Sequence, residues 1–137
     1  MIKELSIFLP NNPGELAKLI KLFSENVIKI DAISVAETAD YGLILLLVNK
    51  PDKCIDILEE HGYSFNANEV LAVKLSYEAN KLFDIANLLG ENNVNIEYLY
   101  STILRDETIM IVRVNNNEKA EKVLKEKDFT LLNPADL

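Results

Sequence analysis

The feature that most constrains this chain is a repeat. An offset of 66 residues lays its two halves on each other without a gap. Leu5 falls on Leu71, Leu16 on Leu82, Leu22 on Leu88, and Glu25-Asn26 on Glu91-Asn92. Further along, Asp40 meets Asp106, Val48-Asn49 meets Val114-Asn115, and Leu58 meets Leu124. Conservative pairs such as Ile28/Val94, Asp31/Glu97 and Tyr63/Phe129 fill the intervals. The 137 residues therefore read as two copies of one unit, residues 1–68 and 69–137, and not as a single domain. No linker rich in Gly, Ser or Pro separates the copies, which predicts docked units. Each is too small to be comfortable alone.

The pattern within a copy sets its fold. Leu5, Ile7 and Leu9 alternate with Ser6 and Phe8, as in a strand with one buried face. Leu16, Leu19, Ile20 and Phe23 then recur at helical spacing, and the residues before them offer Asn12 as a cap and Pro13 as the first helical residue. Residues 28–37 are rich in β-branched side chains, Thr38 to Asp40 make a turn, and Tyr41 to Val48 return as a third strand. Pro51 opens a second helix, Gly62 stops it, and Tyr63 to Phe65 form a short fourth strand. The second copy repeats the order: strand 70–76, helix 79–91, strands 95–103 and 107–114, helix 117–126, strand 128–132. The fold class is α+β, two ferredoxin-like βαββαβ units, each an antiparallel sheet with both helices on one face.

The third strand is apolar on both faces, with Leu43, Leu45 and Leu47 on one and Ile44, Leu46 and Val48 on the other. Ile109 and Ile111 repeat this in the second copy, opposite Met110, Val112 and Val114. Both faces must then be covered. Self-association through the helix-free face predicts a homodimer or a higher even oligomer.

Composition removes several function classes. The net charge is −8 and there are only two arginines, Arg105 and Arg113, so nucleic acid and anionic membranes are poor partners. One cysteine, Cys54, and one histidine, His61, exclude a thiolate or multi-histidine metal site, and no cofactor is implied. The N-terminus lacks the features of a secretory signal, and the longest apolar run, Leu43 to Val48, is far short of a membrane span, which predicts a cytoplasmic protein. Cys54 pairs with Ala120 at a core-facing helix position, where a small apolar group suffices. His61 stands at a helix end, as does its counterpart Lys127, where a cation complements the dipole. With no nucleophile elbow and no glycine-rich phosphate loop, no catalytic constellation is present.

One loop stands apart: Asn11-Asn12-Pro13-Gly14-Glu15-Leu16. Gly14 permits close approach, and the unpaired amides of a first helical turn accept a small carboxylate, with the asparagines available to a polar group. A plain capped helix start explains the same residues.

The strand–N-x-P-G-x-L–helix start, the helix ending in Glu25-Asn26-Val27-Ile28-Lys29-Ile30 and its second version Glu91-Asn92-Asn93-Val94-Asn95-Ile96, together with the βαββαβ order, resemble ACT domains over the whole chain. The resemblance implies a tandem pair of regulatory modules, side by side as one continuous antiparallel sheet with helices on one face. It also implies an amino-acid ligand between the loop of one domain and the second strand of its neighbour. Asn11 matches the loop asparagine that contacts ligand in serine-binding members, and Asn95 matches the asparagine contributed by the partner domain. Asn11, Asn12, Pro13, Gly14, Glu15 and Leu16 with Asn95 and Ile96 therefore form the expected site. The reverse pairing, Tyr77, Glu78 and Asn80 with Lys29 and Ile30, departs from the pattern at both ends. The implied function is non-catalytic: an amino-acid sensor that regulates an enzyme or other protein. The alternative is a protein-interaction or oligomerisation module that keeps no ligand site.

Overall fold

The structure, a computed structural model, describes residues 1–37, 40–75 and 81–137, with Glu37 described by its backbone alone. The expected turn at Thr38 and Ala39, the end of the expected strand at Ser76, the loop residues Tyr77 and Glu78, and the expected helix residues Ala79 and Asn80 lie outside the described residues. Packing divides the chain into two compact units, Lys3–Asn68 and Glu69–Leu137, the latter also taking in Met1 and Ile2.

The first unit contains β1 (Ile2–Pro10, from Lys3 onward), α1 (Glu15–Glu25), β2 (Ile30–Glu37), β3 (Tyr41–Val48), α2 (Pro51–Glu60) and the start of β4 (Ser64–Leu75). Its strands lie in the order β2-β3-β1-β4, with β3 antiparallel to both neighbours. Leu5, Ile7 and Leu9 of β1 and Ile44, Leu46 and Val48 of β3 share one core with Leu19 and Phe23 of α1 and Cys54 and Leu58 of α2. Both helices therefore cover the same sheet face, as the alternation of the strands requires.

The second unit repeats the plan with the remainder of β4, α3 (Lys81–Glu91), β5 (Ile96–Leu104), β6 (Glu107–Val114) and α4 (Asn117–Glu126). A 3₁₀ turn, Pro134–Asp136, follows. Leu71 and Val73 of β4 and Met110, Val112 and Val114 of β6 pack with Ile85, Leu89, Ala120 and Leu124 of the helices. Arg105 and Asp106, both at positive φ, close the β5–β6 hairpin in the manner of a two-residue turn matched to strand twist.

Two details depart from the sequence reading. The fourth strand of copy one and the first of copy two are one unbroken strand, β4, because no glycine or proline interrupts residues 63–75. The expected strand at 128–132 is reduced to a single bridge, Leu131 to Val73, flanked by Lys74 N–H to the Thr130 carbonyl (2.9 Å) and Leu132 N–H to the Ala72 carbonyl (2.9 Å). Leu45, Leu47, Ile109 and Ile111 of the helix-free faces are buried, as the expectation that both faces are covered requires.

The repeat extends to how helices stop. Each of α1, α2, α3 and α4 is followed by a residue at positive φ: Val27, Gly62, Asn93 and Asp128. Beyond each, a backbone N–H reaches back to a carbonyl five residues earlier, such as Ile28 to Phe23 (2.9 Å) and Val94 to Leu89 (2.8 Å). Val27 is the misfit, since a β-branched residue resists the left-handed region and this one is exposed. Val27→Asn, which installs the residue its counterpart Asn93 already has, is expected to stabilise the protein by about 1 kcal/mol. A rise in the urea midpoint at unchanged slope is the expected reading, and an unchanged midpoint would sink the assignment.

Candidate functional site

The loop between β1 and α1 is a type II turn. The Asn12 carbonyl accepts the Glu15 N–H (3.4 Å), and Gly14 takes φ 88° and ψ −9° at the third turn position, which in practice demands glycine. This corrects the expected cap. Asn12 does not cap the helix and Pro13 is not its first residue; Gly14 holds the N-cap position and α1 starts at Glu15. The reason is steric and local: Pro-Gly suits the two corner positions of a turn better than it suits a cap and first helical turn. The Gly14 carbonyl accepts the Lys18 N–H (3.0 Å), but no side chain caps α1. Glu15 places a carboxylate in the first turn, where the helix dipole favours it.

Asn11, Asn12, Pro13 and Gly14 are exposed, and Glu15 and Leu16 are partly buried. Among the described residues, the carboxamides of Asn11 and Asn12 enter no hydrogen bond. The turn thus gathers two free carboxamides at an uncapped helix start.

Asn95 and Ile96 adjoin at the entry to β5. The Asn95 N–H donates to Asn115 Oδ1 (2.9 Å), and the Asn115 N–H returns to the Asn95 carbonyl (3.1 Å). Lys29 is held identically by Asn49, at 2.9 and 3.1 Å. This explains why Val-Asn recurs at the end of both third strands: the asparagine side chain fixes the backbone that leads into the second strand. The Asn95 side chain itself is exposed, while Lys29 lies 4.0 Å from Asp31. Tyr77 and Asn80, the other half of the reverse pairing, lie outside the described residues.

The residues that might have signalled catalysis have structural work. Cys54 is fully buried in the first core, and burial pushes its thiol up to about 12. His61 ends α2, with Nδ1 2.9 Å from the Ile57 carbonyl. Among the described residues, no group of three His, Cys, Asp or Glu side chains could hold a metal ion. No described helix is long and apolar enough to cross a membrane.

Two βαββαβ units, each with its helices on one sheet face and an uncapped Pro-Gly turn in the first, define a tandem module of the ferredoxin-like class. The chain belongs to the ACT domain pair family, whose model matches residues 1–137. A crystal structure of a Bacteroides thetaiotaomicron protein matches 98% of this chain over 93% of its own, with 31% identity and a TM-score of 0.91. Regulatory subunits of aspartate kinase from Thermus thermophilus (ligand-free form) and Thermus flavus share the fold. They match at 16% and 15% identity, with TM-scores of 0.66 and 0.64, each over 90% of this chain and 88% of theirs. No curated protein matches the chain by sequence. ACT domain pairs are typical of regulatory modules that bind amino acids.

Proposed function

We propose that this chain is a non-catalytic cytoplasmic regulator that binds an amino acid and transmits its presence to an enzyme or other protein. What carries the reading is the Pro13–Gly14 turn, which opens an uncapped helix beside two unused carboxamides in a chain that belongs throughout to the ACT family. First-turn amides and the positive end of a helix suit an α-carboxylate. The free carboxamides of Asn11 and Asn12 suit an ammonium or a polar side chain. Asn95 and Ile96 supply the second half of the site, as the motif they share with the family suggests. Glu15 and Leu16 border it.

Isothermal titration with the twenty amino acids tests this. One of them is expected to bind in the micromolar to millimolar range, roughly −8 to −4 kcal/mol. Asn11→Ala and Asn95→Ala are each expected to weaken it about tenfold, the value of one polar contact to a charged group. Binding by none of the twenty, or binding indifferent to both substitutions, would overturn the proposal.

A second reading has one observation in its favour. β2 and β5 are edge strands of their own units, and they expose Ile33 (42%), Val35 (55%), Leu99 (37%) and Ile103 (73%). Unpaired edges with apolar side chains are templates for pairing with another chain. We assign these edges to a homodimer or higher even oligomer. In the pure interaction-module reading they are the whole function, and no amino acid raises the melting temperature. A ligand at 100 times its dissociation constant adds about 2.7 kcal/mol, so thermal shift separates the two readings.

A further inference from the structure

The duplication has produced two versions of one groove, and the first is the larger. In the Lys3–Asn68 unit, a groove of about 650 Å³ lies between α1 and the turn from α2 into β4. Its counterpart in the second unit holds about 260 Å³. The two are built from equivalent positions: Leu22 and Leu88, Glu25 and Glu91, His61 and Lys127, Tyr63 and Phe129. In the second unit, Lys81 lies over the Phe129 ring with Nζ 5.6 Å from the centroid, whereas its equivalent in the first unit is the shorter Glu15.

The charge differs as well as the space. At the two helix positions facing the middle of the groove, the second unit has Asp84 and Asn87, and the first has Lys18 and Lys21. His61 also lines the groove, its Nδ1 2.9 Å from the Ile57 carbonyl. Of the two carboxylates, Glu25 lies 3.8 Å from Lys21, and Glu15 occupies the first helical turn, where the helix dipole answers it. No described residue pairs with Lys18. The apolar wall is aromatic and aliphatic, from Leu22 and Tyr63. The volume lies in the range of small-molecule sites.

We infer that the first unit's groove binds a small organic anion with a planar apolar body, its carboxylate or phosphate at Lys18 and Lys21 and its body against Tyr63 and Leu22. The groove shares Glu15 with the Asn11–Leu16 turn, but the anion is placed at Lys18 and Lys21, and the inference does not rest on the amino-acid reading.

Backbone amide shifts of the ¹⁵N-labelled full chain test it with phenylacetate, phenyl phosphate and 2-phenylethanol. At least one anion is expected to shift the amides of Leu22, Gly62 and Tyr63 saturably, and the better anion tells carboxylate from phosphate recognition. The alcohol is expected to bind at least about tenfold more weakly, and Lys18→Gln with Lys21→Gln to cost the anion at least about tenfold. Both lysines are exposed, so the variant keeps its fold, which the dispersion of the same spectrum checks. Equal binding of the alcohol, shifts centred on Asn12, Gly14 or Ile96, no saturable shift by either anion, or indifference to the double substitution would overturn the inference. A failure of the amino-acid proposal appears with other ligands and other amides, so the two are read independently.

Discussion

Phe23→Ala is expected to cost about 3–5 kcal/mol, the range for emptying a fully buried aromatic site. Phe23 is 1% exposed and sits where α1 meets β1, β3 and α2 in the first core. Domain stabilities of about 5–15 kcal/mol leave little after such a loss. The repeat supplies an internal control. The equivalent residue of the second unit is Leu89, equally buried and in the equivalent core. Phe23→Leu therefore places in one unit the residue the other already uses, and is expected to cost under about 1.5 kcal/mol. Urea denaturation of the two variants should give well-separated midpoints. If alanine and leucine are equally disruptive, the packing role assigned to Phe23 is wrong.

Cys54 is expected to react with a disulfide reagent about a thousandfold more slowly in the folded chain than in urea. Its thiol is pushed up to about 12 from an ordinary value of 9.0, so at pH 8 the thiolate is rarer by three decades. Burial of the sulfur slows attack further, which makes the figure a lower bound on protection. The same shift has a signed consequence for stability. A group whose folded value is raised favours the folded state fully below its unfolded value, and that contribution is lost as pH climbs from about 9 towards 12. The protein should therefore weaken in alkali, and Cys54→Ala, the residue found at position 120, should weaken less over that window. A labelling rate equal in the presence and absence of urea would contradict the buried placement.

The two predictions concern the part of the molecule most legible beforehand. The helices α1, α2 and α4 and the strands β3 and β6 fall where apolar spacing places them, because a period of two or of 3.6 is a local property of the chain. The site was less legible. Pro13-Gly14 reads equally well as a helix start and as a turn, and only the backbone angles of Gly14 choose between them. Asn49 and Asn115 were visible as a repeated pair, but their bonds to residues 29 and 95 span 20 positions, and no local pattern announces them. Lys18, Lys21 and Tyr63 were passed over as a groove for the same reason: α1 and the end of α2 meet only through the fold.

By itself, the sequence determined that the protein is a duplication, that each copy alternates strands and helices in the order βαββαβ, and that it belongs with ACT domains. Spacing, helix-stopping residues and motif order are all properties of neighbouring positions. Tertiary structure alone decided that both faces of β3 and β6 are buried, that one strand carries the chain from the first unit into the second, and that equivalent grooves differ in size and charge. Those outcomes depend on which distant side chains exclude water from each other, and burial between residues far apart in the chain leaves no periodic trace in it.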